Sequence, residues 1–195
     1  MAPLTAFFIC SLDLRVTDAA GDFGWAEPPE EVHAFANGLE REVGTHLYGR
    51  RMWETMRFWE TTPDDGSVMG DYGVLWRASE HVVYSTTLGG LDAARTRLER
   101  RFDPDAVRAL KAEASAPLTV SGADLAGQAL RAGLVDRLEL LLVPVIVGEG
   151  PRALPDGLST RLTLIEQRTF PAGWVHLAYA VESGAVESGD VGGDL

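Results

Sequence analysis

Three short stretches of this chain carry residue types suited to holding a phosphate: Gly49-Arg50-Arg51, Ser85-Thr86-Thr87 and Ser121-Gly122-Ala123-Asp124. Each closes a short apolar run that reads as a strand. The first and third lead into helical patterns, and the free N–H groups at a helix start attract anions. Glycine lets an anion approach with no Cβ in the way. Arg50 and Arg51 could add charge, and Ser85, Thr86 and Thr87 hydroxyl hydrogen bonds. Together they suit the diphosphate of a dinucleotide. Singly, each has a plainer use as a turn, a solvated surface or a loop cap. The G-x-G-x-x-G fingerprint is absent after the first strand, and so is a Walker loop.

The elements that must position these residues follow from periodicity. Residues 4–10 form a compact apolar run, a buried strand, with loop over 11–24. Pro28-Pro29-Glu30-Glu31 opens a helix, and Val32, Phe35, Leu39 and Val43 keep helical spacing up to Gly44. A short strand over 45–48 precedes a short helix through Met56. Residues 61–73 read as a Pro/Asp/Gly loop and 81–85 as a strand. Residues 91–101 and 105–114 read as helices, parted by Asp103-Pro104. A strand over 118–121, a helix over 124–132 and a strand over 136–143 follow. Residues 162–170 and 174–181 fit an antiparallel hairpin around Pro171-Ala172-Gly173. Strands alternating with helices, closed by a hairpin, mean an α/β domain with a mixed, mainly parallel sheet. One domain over 1–182 is expected, followed by a flexible acidic Gly/Ser tail over 183–195.

Composition is that of an ordinary globular chain, 46% hydrophobic and 24% charged. Net charge is −12, from 17 basic and 29 acidic residues. That argues against nucleic-acid or anionic-membrane partners, which need a positive face. No secretory signal opens the chain, and no apolar run approaches the roughly 18 residues that span a bilayer. A cytoplasmic protein is the expectation. Cys10 is the single cysteine and sits in an apolar run, so a buried thiol is expected rather than a nucleophile. The histidines, at 33, 46, 81 and 176, are scattered without metal-ligand spacing.

Four motifs, in order, resemble a known family. Tyr48-Gly49-Arg50-Arg51 through Met56 is similar to the Gly-Arg-Lys/Arg-Thr-x-Glu element of dihydrofolate reductase-like proteins. Val82 through Leu88 resembles their strand ending in Ser-x-Thr. Gly133-Leu134-Val135-Asp136-Arg137-Leu138 and Pro144 through Gly150 resemble the "GLVDEL" and "P-x-x-x-G-x-G" of the reductase domain of bacterial riboflavin biosynthesis proteins. Ser11-Leu12-Asp13 fits the same family.

The resemblance implies a three-layer dihydrofolate reductase-like fold that binds NADPH, with NADH as the other candidate, and acts as a homodimer. It assigns the pyrophosphate to the backbone at Gly49, Arg50 and Arg51 and at Ser121, Gly122, Ala123, Asp124 and Leu125. Ser85 and Thr86 would face the adenosine ribose and 2′-phosphate. Ala6 and residues 11–13 would line the nicotinamide, and the 144–150 segment, with Gly148, would border the active-site side. Met52 stands where the family has threonine, and Thr86 where an arginine often stands.

In such enzymes the cofactor carries the hydride and the protein supplies a proton or polarises the acceptor. A proton donor should be a carboxylic acid with a raised pKa. Asp13 and Glu31, the latter flanked by Glu27 and Glu30, are the candidates; a loop cap and a helix-end charge are their plainer roles. Trp53, Phe58, Trp59, Tyr72 and Trp76 could shape a flat pocket, or serve as core or dimer contact. The expected activity is reduction of a small heterocyclic or carbonyl substrate. The alternative is a non-catalytic nucleotide-binding or homodimerising relative. No zinc deaminase segment accompanies the reductase pattern, and the Gly-Trp-Asn-Asp style stretch of folate reductases is missing after Ser11.

Overall fold

The computed structural model describes residues 1–182; the tail expected over 183–195 lies outside the described residues. The elements in chain order are β1 (Leu4–Ser11), α1 (Glu30–Glu40), β2 (Thr45–Gly49), α2 (Arg50–Met56), α3 (Val68–Ala78), β3 (Glu80–Tyr84) and β4 (Thr96–Glu99). Then come α4 (Pro104–Glu113), β5 (Leu118–Ser121), α5 (Ala123–Arg131), β6 (Arg137–Val143), β7 (Leu162–Thr169) and β8 (Val175–Val181). They build one eight-stranded sheet of order β4-β3-β2-β5-β1-β6-β8-β7. β8 runs antiparallel to β6 and β7, and every other pairing is parallel. The fold is the expected α/β architecture, a mixed, mainly parallel sheet flanked by helices, with its C-terminal hairpin.

Both sheet faces are covered, so the central strands are apolar throughout. Leu4, Ala6, Phe8 and Cys10 of β1 pack with Val107 of α4 and with Leu125, Ala126, Ala129 and Leu130 of α5. Phe7 and Ile9 turn to the other face, against Val32 and Phe35 of α1. Tyr48, Val83, Trp53 and Trp76 join α2 and α3 to that second face. Helices α1 to α3 thus accompany the steps from β1 out to β3, and α4 and α5 the steps back to β5 and β6. Right-handed crossovers require this division, because reversing direction along the sheet reverses the face. Cys10 is fully buried and its thiol is pushed up to about 12 by desolvation, which suits a structural role.

Two expectations are corrected. Residues 91–101 are not a helix: 96–99 form the edge strand β4, paired with β3 from His81–Thr96 to Tyr84–Glu99. Arg95 enters it with a φ of 53°. Pairing to a neighbour overrides a helical pattern whose polar residues have no second face to cover. Conversely, the loop expected over 61–73 contains the first turns of α3. Ser67 caps that helix, accepting from the Gly70 amide at 3.0 Å. A Cβ on Gly70 would meet the Pro63 carbonyl at 2.8 Å, so this helical glycine serves the packing of the preceding loop.

The face beneath α1 hides a polar group set. Glu40 is buried with one carboxylate oxygen lacking a partner, 3.6 Å from His46 Nδ1. His46 Nδ1 lies 2.8 Å from Thr119 Oγ1, and the imidazole stacks on His81. Further along, His176 Nε2 meets Glu139 at 2.6 Å. Burial, and secondarily the nearby Glu139, raise the Glu40 pKa to about 8. Burial, and secondarily His81, lower that of His46 to about 3.

Candidate active site

Ligands of open α/β sheets bind beyond the strand C-termini, where successive connections leave on opposite faces. Here β5 is that strand: its helix α5 leaves on one face, while the connections from its neighbours β2 and β1 leave on the other. Tyr48 pairs with Ser121, so Gly49 and Gly122 are the next residues on adjacent strands. The two bends identified from sequence are therefore neighbours. Gly122 has a φ of +96°, a conformation that suits glycine, and a Cβ there would lie 3.4 Å from Met52 Cβ. A Cβ on Gly49 would lie 4.0 Å from that of Leu125. Met52 and Leu125 thus wall the two bends.

No side chain caps the start of α2 or of α5. Ala126 donates to the Gly122 carbonyl at 3.0 Å. The preceding amides of Ala123, Asp124 and Leu125 have no intrahelical acceptor, as at any helix start, and remain available to an anion. The Asp124 carboxylate, like-charged with any phosphate, is engaged one turn along by Gln128 at 3.2 Å. Ser121 is buried, and its hydroxyl reaches the Phe7 carbonyl at 3.5 Å.

The third stretch is less open than its composition suggests. Ser85 is buried, and its Oγ accepts from the amides of Thr87 and Leu88 at 3.2 and 3.1 Å. Arg100 clamps the same loop through the Leu88 carbonyl. Thr86 remains exposed. Arg50 pairs with Glu54 at 3.2 Å. Among the described residues, Arg51 and Arg101 are the basic side chains without a carboxylate or carbonyl partner. They follow β2 and β4, on either side of the end of β3. Arg101 was hidden from sequence reasoning by the helical reading of its segment.

The floor of the crevice is the backbone of β1. Its pairing with β5 runs from Leu4–Leu118 to Ala6–Val120, while pairing with β6 continues to Ser11–Val143. Ala6 is therefore held between two strands, with its side chain in the core. The Phe7 carbonyl faces β5, so the next peptide groups on that side, those of Ile9, face the space beyond the end of β5. Ile9 thus offers a donor and an acceptor beside Gly122. Only strand register shows this; no residue type signals it.

Beyond the strands, the loops after β1 and β6 are stitched together. Asp13 accepts from the amides of Val147 and Gly148 at 3.0 and 2.8 Å and from Ser11 Oγ at 2.7 Å. Arg15 donates to the Gly150 carbonyl at 2.7 Å, and Leu12 to that of Val145 at 2.8 Å. A Cβ on Gly150 would overlap the Thr17 carbonyl oxygen. Gly150 is therefore required by one loop pressing on another, whereas Gly148 meets no neighbour and serves its positive φ of 87°. Hydrogen bonds, the Val147 amide first and Ser11 next, hold the Asp13 carboxyl below the usual carboxylate range. A carboxylate kept ionised while accepting three hydrogen bonds carries no proton to donate. Glu31 is exposed on the first turn of α1, 3.5 Å from Arg168 of β7, with β1, β6 and β8 between that strand and β5. The two candidate acids are thus placed apart.

Residues 2–176 match the family model of the RibD C-terminal domain. The chain belongs to that family. A curated relative of this RibD-type domain is the uncharacterized protein YyaP of Bacillus subtilis (strain 168). It is 23% identical over 172 residues, covering 87% of this chain and 89% of that protein. A candidate riboflavin biosynthesis protein of Shewanella sp. PV-4 has a similar structure, with a TM-score of 0.74 at 18% identity over 93% of this chain and 99% of that one. The diaminohydroxyphosphoribosylaminopyrimidine deaminase/5-amino-6-(5-phosphoribosylamino)uracil reductase of Thermotoga maritima superposes with a TM-score of 0.63 at 12% identity. That match covers 92% of the RibD-type domain and 56% of the Thermotoga chain. These likenesses show the fold that the chain shares with them.

Proposed function

We propose that this RibD-type domain is an NADPH-dependent reductase of a small heterocyclic or carbonyl compound, acting in the cytoplasm. One observation carries the reading: two uncapped helix starts, at Gly49 and Gly122, adjoin at the sheet's switch point, and at Gly122 the tight bend lacks a Cβ. A diphosphate suits that place. Arg51 and Arg101, without partners among the described residues, would receive the 2′-phosphate, with Thr86 between them. The peptide groups of Ile9 would take the carboxamide of the nicotinamide. When bound, the cofactor supplies the hydride. The chain holds it by backbone donors, and the Asp13 clasp fixes the two loops beside the reacting end. With Asp13 committed as an acceptor, the balancing proton comes from water at the open lip.

The proposal includes a homodimer. The apolar β6 does not serve it, because that strand is bonded on both edges, to β1 and to β8. β7 is the edge strand, exposed along its whole length, and displays Leu162, Leu164 and Ile165. A second copy would cover it.

The second reading, a binding module without turnover, draws on Met52, whose Cβ stands beside Gly122 where the family has a hydroxyl. Titration separates the two. Micromolar NADPH is expected to quench tryptophan fluorescence and raise the melting temperature, since a ligand of the folded state stabilises it. Gly122→Val is expected to remove that response; Gly122→Ala, if the valine form does not fold, should weaken it. Binding retained in a folded Gly122 variant overturns the placement. Binding without oxidation by any acceptor supports the module.

A further inference from the structure

We infer that the acceptor reduced by this domain carries no phosphate or other anionic group, and is held by apolar contact with Leu12 and Ile146. The inference rests on the reductase reading above. Leu12 is 60% exposed and Ile146 73% exposed, among the most exposed aliphatic side chains of the described residues. Their backbone segments adjoin at the lip, since Leu12 donates to the carbonyl of Val145, the residue before Ile146. These are not side chains on slack loops. Asp13 bonds Val147 and Gly148 immediately after Ile146, and Arg15 bonds Gly150. A rigid frame therefore holds two aliphatic groups in water at the end of the strand whose free edge lines the crevice. Such a fixed apolar display is what a ligand surface provides.

The charges point the same way. Away from a helix start, a phosphate group is held best by a cationic side chain free to reach it. On the β1–β6–β8–β7 side of Gly122, the arginines nearest the lip are already engaged. Arg15 holds Gly150 and lies 3.6 Å from Asp13; Arg152 pairs with Asp156 and Arg168 with Glu31. Arg57, after α2, pairs with Glu60. The two cations without a partner among the described residues, Arg51 and Arg101, lie across β5, on the side assigned to the cofactor's adenosine end. Asp13 and the exposed Glu149 add negative charge at the lip, which repels an anion. The Thermotoga protein is named for a phosphoribosylamino substrate. By this reasoning the present chain acts on something else, an uncharged ring or carbonyl compound.

The test uses acceptor pairs that differ only in a phosphate, such as a pyrimidine nucleoside and its 5′-monophosphate, together with an uncharged quinone. NADPH binding is measured first by tryptophan fluorescence; its absence retracts the reductase reading itself. With binding present, an uncharged acceptor is expected to show a kcat/KM at least tenfold above that of phosphorylated compounds. The double variant Leu12→Ser, Ile146→Ser should raise the acceptor KM about tenfold, several times more than it weakens NADPH. Preference for the phosphorylated partner, an uncharged set that neither binds nor turns over, or an unaltered KM in the double variant would each overturn the inference.

Discussion

Glu40→Gln should flatten the pH dependence of stability on the alkaline side, and its size follows from the buried group set under α1. In the folded chain Glu40 holds its proton up to about pH 8, against an ordinary value of 4.5. Its contribution to stability is complete below 4.5 and is lost as pH rises through 8. His46, lowered from 6.5 to about 3, and His81, lowered to about 4 by burial, act in the opposite sense. Their contribution is present above 6.5 and is lost as pH falls. Between 4.5 and 6.5 the slopes therefore oppose, and between 6.5 and 8 Glu40 acts alone among the three. One unit of pH is then worth up to about 1.4 kcal/mol, so stability should fall by about 2 kcal/mol over that window. For a domain of this size that corresponds to a melting temperature lower by roughly 5 °C. Urea denaturation at pH 6.5, 7.25 and 8 measures it. Wild type should lose stability steadily, while Glu40→Gln stays flat and is the more stable of the two at pH 8. The glutamine leaves an amide near His46, so the slope rather than absolute stability is the readout. Parallel slopes in the two proteins would refute the reasoning.

The clasp at the lip predicts that Asp13→Asn, which keeps shape but loses charge on an acceptor of two backbone amides, lowers kcat more than it weakens NADPH binding; equal losses in both would place Asp13 elsewhere in function. Arg51→Ala combined with Arg101→Ala should weaken NADPH about a hundredfold, the worth of two charge-assisted hydrogen bonds, while NADH binding is unchanged. Isothermal titration with both nucleotides decides it, and equal weakening would move the 2′-phosphate away from these arginines. Leu164→Lys should turn a dimer into a monomer in size-exclusion chromatography with light scattering, and an unaffected dimer would remove β7 from the interface.

The sequence by itself determined the α/β class, the order of the motifs and the position of the two glycine bends. These are local properties. Apolar run length, β-branching and a glycine at a strand-to-helix turn act within a few residues, so they are visible in the chain. It also supplied Asp13 and the Gly-Glu-Gly after β6, but not that they belong to one clasp joining residues more than 130 positions apart. Only the tertiary structure decided which strand is an edge. That is why residues 96–99 became β4 against their helical pattern, and why the apolar β6 proved central and the half-polar β7 the exposed margin. It likewise decided that β5 stops short of β1, which frees Ile9, and that Arg51 and Arg101 flank one strand end without a carboxylate partner. Strand order and register depend on which distant segments pair, and that free energy is shared by the whole sheet, so no single window of sequence records it.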